Sequence, residues 1–299
     1  MTRSFTSATT LDDALSAMAQ GARPVAGGTD LVVGARQGKA PLPEAIVAID
    51  RIDGLRSLEA SDAGLRLGAL VTHGDIVASD EILSRYMALA DASAIVGSRA
   101  TRAQGTIGGN VMNASPAMDT GGPLLCFGAT ATLRSPAGER SIGLDELWTG
   151  PGGTSAAADE LLVALDVPAP APGTGSCYVR LEYRRQMEIA VVGATAVLAI
   201  DGDRVRDARI AITALTPTIR RVPDAEGALN GSDGGAEAVA AAASAAASAA
   251  TPISDVRGSA EYRRAMAEVI ARRAITAAVT RARGGSVPIP ASPALHGAS

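Results

Sequence analysis

Histidine is nearly absent: His73 and His296 are the only two in 299 residues. A histidine-ligated metal centre or a serine–histidine hydrolase therefore has almost no raw material. Cysteine is as scarce. Cys126 and Cys177 lie far apart and outside any Cys-x-x-Cys arrangement, which excludes a disulfide framework and a cysteine-ligated cluster built by this chain alone. Two reduced, buried thiols are expected instead. Basic charge is not in excess: 27 basic against 31 acidic residues give a net charge of −4, and the basic ones are scattered. Nothing here recruits a phosphate backbone or an anionic membrane surface, so nucleic acid is not an expected partner. No stretch reaches the ~20 uninterrupted apolar residues of a membrane span. The start, Met1-Thr2-Arg3-Ser4-Phe5-Thr6, carries no apolar signal-peptide run, and the expected location is the cytoplasm. Aromatic residues, at 2%, give no clue to a substrate.

Hydrophobic residues make up 47% of the chain, enough for two domains at roughly 150 residues each. Thr10 with Asp13 three residues on reads as a helix cap, and Leu11, Ala14, Leu15 and Met18 form one apolar face before Gly21. Arg23-Pro24-Val25-Ala26 leads into Gly27-Gly28-Thr29-Asp30, and Ala45 to Ile49 has the β-branched content of a buried strand. Short strands are expected over 65–70, 130–134 and 161–167, with a helical stretch over 82–96 and a hairpin turn at Pro136-Ala137-Gly138. Pro168 to Gly173 is a stiff connector that marks a domain boundary. Beyond it, 189–200 and 204–213 read as two strands around the turn Asp201-Gly202-Asp203. Ala236 to Ala250 is almost pure alanine and serine, a surface helix packed through small side chains. Ser259 caps a last helix with Met266, Val269, Ile270, Ala274 and Ala277 on one face and Arg263, Arg264, Glu268, Arg272 and Arg273 toward water. After Arg283 the tail is expected to be frayed or extended. The class is α+β. Two α/β subdomains, about 1–60 and 61–172, precede an antiparallel sheet with helices over 173–285 and a tail over 286–299.

Two glycine-rich loops carry the chemistry. Ala26-Gly27-Gly28-Thr29-Asp30 sits between a strand and a helix, where paired glycines let backbone N–H groups converge on a phosphate. Gly105-Thr106-Ile107-Gly108-Gly109-Asn110 repeats that logic with a hydroxyl and an amide added. Either loop alone is most often a simple turn; the pair points to a diphosphate, and hence a dinucleotide. Neither is a Gly-x-Gly-x-x-Gly fingerprint nor a Gly-x-x-x-x-Gly-Lys loop, so Rossmann-type NAD binding and P-loop hydrolysis lack their carriers. Asp12/Asp13 and Glu59/Asp62 fall at helix starts or turns, where acids serve as caps. His73 reads as a capping or surface residue. Arg99 and Arg102 either balance phosphates, dock a partner or face solvent.

Pro24-Val-Ala-Gly-Gly-Thr-Asp-Leu31 and Gly105-Thr-Ile-Gly-Gly-Asn-Val-Met-Asn-Ala-Ser-Pro-Ala-Met-Asp119 resemble the FAD-binding medium subunits of molybdenum hydroxylases, the family of carbon monoxide and xanthine dehydrogenases. The resemblance continues through Tyr178-Val-Arg180, Arg185, Glu188-Ile-Ala190-Val-Val192 and Asp255 to Arg264, nearly the whole chain. It implies an FAD-binding fold of the PCMH or vanillyl-alcohol-oxidase type, with FAD as cofactor. Ala26, Gly27, Gly28, Thr29 and Asp30, with Leu31, and Thr106, Ile107, Gly108, Gly109 and Asn110, with Met112, would hold the pyrophosphate. Asp119 would meet the flavin's polar end or ribityl chain, and Leu162 and Arg180 would line the cofactor. Tyr178 would either pack beside the isoalloxazine or serve as a core tyrosine. Glu188 stands where the family usually has Asp. No side chain of this chain need act as a catalyst. The implied partners are a small 2Fe-2S subunit that delivers electrons and a large molybdenum-cofactor subunit, assembled as a dimer of heterotrimers, with an external acceptor beyond. A stand-alone FAD oxidoreductase and a non-catalytic assembly subunit are the alternatives.

Overall fold

The computed structural model describes residues 3–38, 41–184 and 186–296. The start of the sequence at Met1-Thr2, the position of Arg185 and residues 297–299 of the expected tail lie outside the described residues. Thr10 begins the first helix as its spacing predicts: its hydroxyl accepts from the Asp13 N–H at 3.1 Å while Asp13 accepts from the Thr10 N–H at 3.3 Å. Strand β1 (Ser4–Ser7), helix α1 (Leu11–Ala19), β2 (Arg23–Val25), α2 (Thr29–Arg36) and β3 (Ala45–Ala48) form a parallel sheet of order β1-β3-β2. Parallel neighbours need crossovers, which α1 and α2 supply. Ala14, Leu15, Met18 and Val47 fill the core of this unit, closed by Leu161 and Val163 from further along the chain.

The second unit is an antiparallel sheet. It is built from β4 (Leu58–Ser61), β5 (Gly64–Gly68), β6 (Thr130–Ser135), β7 (Gly138–Gly143) and, past a ribbon of β8 (Trp148–Gly150) and β9 (Gly153–Thr154), β10 (Leu161–Pro168), in the order β4-β5-β10-β6-β7. Between β5 and β6 run α3 (His73–Ala78), α4 (Asp80–Arg85), α5 (Met87–Ala94), α6 (Arg99–Arg102), α7 (Ile107–Asn113) and α8 (Gly121–Phe127); α9 (Leu144–Leu147) follows β7. The helical stretch expected over 82–96 is thus two helices, broken at Tyr86, whose φ of −123° leaves the helical range.

The last sheet, β11 (Thr174–Leu181), β12 (Val192–Asp201), β13 (Arg204–Thr213) and β14 (Arg220–Arg221), is antiparallel in chain order. One face, with Cys177, Val179, Ala194, Ala196, Leu198, Ile210 and Ile212, packs on α10 (Pro223–Leu229), α11 (Ala236–Ser248) and α12 (Ala260–Ala282). The opposite face sends Tyr178, Val197 and Ala211 into the core of the second unit. Burial on both sides explains why 191–200 reads as a continuous apolar run rather than an alternation.

Helix α11 packs through small side chains as expected, with Ala242, Ala243 and Ala246 fully buried. Two other expectations for the C-terminal region are corrected. Arg263 does not face water: it is buried and pairs with Asp255 in the loop before α12. Among its described residues the tail is neither frayed nor extended: it carries α13 (Ala291–His296), with Ala291 and Ser292 buried against β11.

An ion pair holds these pieces together. Arg281 of α12 donates to both oxygens of Asp91 on α5, at 2.6 and 3.1 Å, and the two side chains are 1% and 0% exposed. Asp91 also accepts from the backbone of Tyr178 at 3.2 Å and Ala291 at 3.0 Å. Arg281 donates to the carbonyls of Ser176, Val287 and Pro288. Removing one member of a buried pair leaves the other charge uncompensated. Asp91→Asn is therefore expected to lower unfolding free energy by about 3–5 kcal/mol, read as a shift of the urea midpoint; a loss under about 1 kcal/mol would deny the pair its tying role.

Candidate functional site

The first glycine loop lies between β2 and α2. Gly28 takes φ +68°, a left-handed conformation that favours glycine, and caps α2 without a side-chain acceptor. The first N–H groups of α2 are left for another partner. In the second loop Thr106 caps α7, its hydroxyl accepting from the Gly109 N–H at 3.1 Å. Asn110 Oδ1 accepts from the Thr120 hydroxyl at 2.6 Å. The chain just after β5 anchors this loop: Gly108 N–H donates to Ala69 O at 3.0 Å, Ile107 N–H to Val71 O at 2.8 Å, and His73 N–H to Gly105 O at 3.0 Å.

The two loops touch. A Cβ at Gly27 would stand 1.8 Å from the carbonyl oxygen of Gln104, so only glycine permits the approach. A Cβ at Gly105 would lie 3.5 Å from His73 Cδ2 and 3.6 Å from Thr29 Oγ1. Ala26, Gly27, Gly28, Thr29 and Leu31 are half-buried and Asp30 exposed; across the contact Gly109 is exposed and Asn110 and Met112 half-buried, while Thr106, Ile107 and Gly108 are buried beneath. The sequence-predicted loop residues therefore lie side by side where the two loops meet.

Asp119, Tyr178 and Arg180 also come together, as a buried network. Asp119 accepts from the Tyr178 hydroxyl at 2.7 Å through Oδ1 and from Arg180 at 2.7 Å through Oδ2. Arg180 pairs in addition with Glu182. Burial pushes the Asp119 carboxyl up, opposed by the Arg180 guanidinium and the Tyr178 hydroxyl. The Tyr178 hydroxyl is held well above its usual range by burial and then by Asp119.

Tyr178 and Arg180 are 0% exposed and Leu162, on β10, is 3% exposed. All three therefore sit inside the fold rather than on its open surface. For Tyr178 the core reading fits. His73 is corrected: it is no surface residue but the first residue of α3, 1% exposed, behind the Thr72–Asp75 capping box. Burial and then Arg102 lower its pKa to about 4. Glu188 is held by Arg184 at 3.0 Å and by its neighbour's N–H. Against burial, these contacts keep its carboxyl below the usual range. Arg99 is exposed and Arg102 donates to Val96 O at 3.1 Å.

Sequence reasoning missed Glu182, Asp91 and Arg281. Glu182 was within reach, because Tyr178, Arg180 and Glu182 alternate on one side of a strand. The other pair had no local signal.

Residues 1–170 match the family described as FAD binding domain in molybdopterin dehydrogenase, and residues 178–278 that described as CO dehydrogenase flavoprotein C-terminal domain. The chain is 32% identical to the nicotine 6-hydroxylase medium subunit of Paenarthrobacter nicotinovorans, covering 80% of this chain and 83% of that one. It is 30% identical to the carbon monoxide dehydrogenase medium chain of Afipia carboxidovorans, covering 90% and 93%. Among solved structures, carbon monoxide dehydrogenase from Hydrogenophaga pseudoflava lacking the Mo-pyranopterin moiety superposes with a TM-score of 0.90 at 31% identity, covering 94% of this chain and 98% of that one. Quinoline 2-oxidoreductase from Pseudomonas putida 86 gives 0.88 at 27% identity, with 94% and 98% covered.

The loop contact predicts an order of effects. Gly27→Ala must drive the loops apart, whereas a Cβ at Gly28 meets only Val25 and Val32 side chains at 3.5 and 3.9 Å and costs the roughly 1–2 kcal/mol of a left-handed alanine. Thermal unfolding of the two variants is expected to rank Gly27→Ala as the more damaging; the reverse order would place the loops apart.

Proposed function

The chain belongs to the FAD-binding medium subunits of the molybdenum hydroxylases, flavoprotein oxidoreductase subunits with FAD as cofactor, and from that premise we propose that it clasps the FAD pyrophosphate between its two glycine loops and relays electrons from an iron–sulfur partner to an external acceptor. The observation that carries this reading is the contact of the loops at Gly27 and Gln104. Ala26 to Leu31 offer the free N–H groups at the start of α2; Thr106 to Asn110 and Met112 form the opposing wall. The residues fit the group: a Cβ at Gly109 would stand 2.9 Å from the capping hydroxyl of Thr106, and both loops leave backbone rather than side chain facing a diphosphate.

Bound FAD supplies the redox chemistry itself. The chain's residues bind and orient it. Asp119, 7% exposed, presents a carboxylate whose direction Tyr178 and Arg180 fix, and Leu162 of β10 belongs to the core of the same unit. Iron–sulfur clusters need about four thiolates each, and this chain has two cysteines, both buried and free. A small 2Fe-2S subunit would therefore hold the clusters and a large subunit the molybdenum cofactor, in a cytoplasmic dimer of heterotrimers. Among the described residues no helix is long and apolar enough to cross a membrane.

Purification with the visible spectrum recorded, heat release of the cofactor and native analysis of the complex test the proposal. Expected are non-covalent FAD, two co-purifying chains, one of them bearing iron–sulfur clusters, and flavin occupancy reduced at least about tenfold in Gly109→Val, the scale of a lost charged hydrogen bond. FAD without partners would point to a stand-alone oxidoreductase; a colourless chain that no FAD restores would overturn the assignment.

A further inference from the structure

Burial leaves His73 in an unusual position. Its ring sits behind the second glycine loop, 1% exposed, with Cδ2 turned toward Gly105 and, past it, the Thr29 hydroxyl of the first loop. Its backbone N–H is spent on Gly105 O, fixing the residue to that loop. The neighbouring capping hydroxyl and carboxylate, Thr72 and Asp75, are engaged with each other and with the backbone. Nδ1 is buried without a hydrogen-bond partner. An orphaned buried N–H is rarer and costlier than an orphaned acceptor, so the proton belongs on Nε2. Nε2 is bonded to Cδ2, on the ring edge that faces the two loops. The ring is also neutral at neutral pH, since burial and Arg102 disfavour its charged form.

We infer that His73 is a positioning residue for the dinucleotide, its Nε2–H donating a hydrogen bond to a pyrophosphate oxygen lodged where the loops meet. This rests on the FAD reading above and deepens it, adding a side-chain donor to a cradle otherwise made of backbone. The Thr29 hydroxyl lies across Gly105 from the imidazole, and the Thr101 carbonyl oxygen approaches the same glycine. Neutrality suits the task, because a donor that carries no charge of its own needs no counter-ion when the cofactor is absent.

The test uses the chain stripped of flavin and retitrated with FAD, followed by quenching of flavin fluorescence, with ADP as a competitor that shares only the diphosphate half. Circular dichroism and the melting temperature of each flavin-free variant report folding. His73→Phe fills the same space without a donor and is expected to weaken FAD at least about tenfold, and ADP in parallel, the scale of one hydrogen bond to a charged group. His73→Gln restores an N–H donor and is expected to recover most of that loss. Normally folded His73→Phe that binds FAD within twofold of the parent would overturn the inference and leave the FAD reading standing. Equal losses in His73→Phe and His73→Gln would overturn the donor role in favour of shape. Failure of the unaltered chain to bind FAD would overturn the underlying reading first. Should His73→Phe not fold, His73→Asn carries the same comparison against His73→Ala.

Discussion

The Asp91–Arg281 pair sets the terms for the rest of the structure. A carboxylate and a guanidinium withdrawn from water cost several kcal/mol each, and the cost is offset by the hydrogen bonds that meet both Asp91 oxygens and the two terminal nitrogens of Arg281, whose Nε alone goes without one. Here the partners come from four separate segments: α5 gives Asp91, β11 gives the Tyr178 N–H and Ser176 carbonyl, α12 gives Arg281, and the C-terminal segment gives the Ala291 N–H and the carbonyls of Val287 and Pro288. None can leave without stranding a charge. The docked tail follows from this, since a frayed tail would strip Asp91 and Arg281 of three of these bonds.

Strand β11 turns that constraint into a geometry for the site. Its residues alternate, Cys177 and Val179 toward the helices and Ser176, Tyr178 and Arg180 toward the N-terminal half. On that second side the Ser176 hydroxyl accepts from Ala88 N–H at 3.0 Å, and Tyr178 and Arg180 reach Asp119. Arg180 would be an expensive residue to bury alone; with Asp119 and Glu182 on either side it becomes a bracket.

How far the sequence could be read depended on the range of each interaction. The capping boxes at Thr10 and Thr72, the left-handed glycine at position 28 and the alternation in β11 are written within a few residues, and the two glycine loops stand out by their paired glycines between a strand and a helix. Arg263 and Arg281 were not, because an arginine on a helix is normally a solvated one. What makes them interior is a carboxylate elsewhere, at Asp255 for one and 190 residues away at Asp91 for the other. His73 escaped for a related reason: the Gly105 loop that covers it is remote in sequence, and nothing in Val71-Thr72-His73-Gly74 announces that cover. Tyr178 and Arg180 were singled out, but the full burial of Arg180 has no local signal.

The C-terminal unit carries neither of the two motif loops, yet the position of Asp119 depends on it. Both tie points of β11 lie within five residues: Ser176 and Tyr178 meet the Arg281–Asp91 pair through their backbones, and Tyr178 and Arg180 meet Asp119 through their side chains. A slip of one residue in β11 would turn every side chain to the opposite face, presenting Cys177 and Val179 to Asp119 and burying its carboxylate unpaired. The register that satisfies Asp91 is therefore the register that satisfies Asp119. Packing α12 and the tail onto the far side of the sheet holds that register, and with it the direction of a carboxylate more than 50 residues before β11 in the chain. The C-terminal half thus acts on Asp119 by fixing one strand.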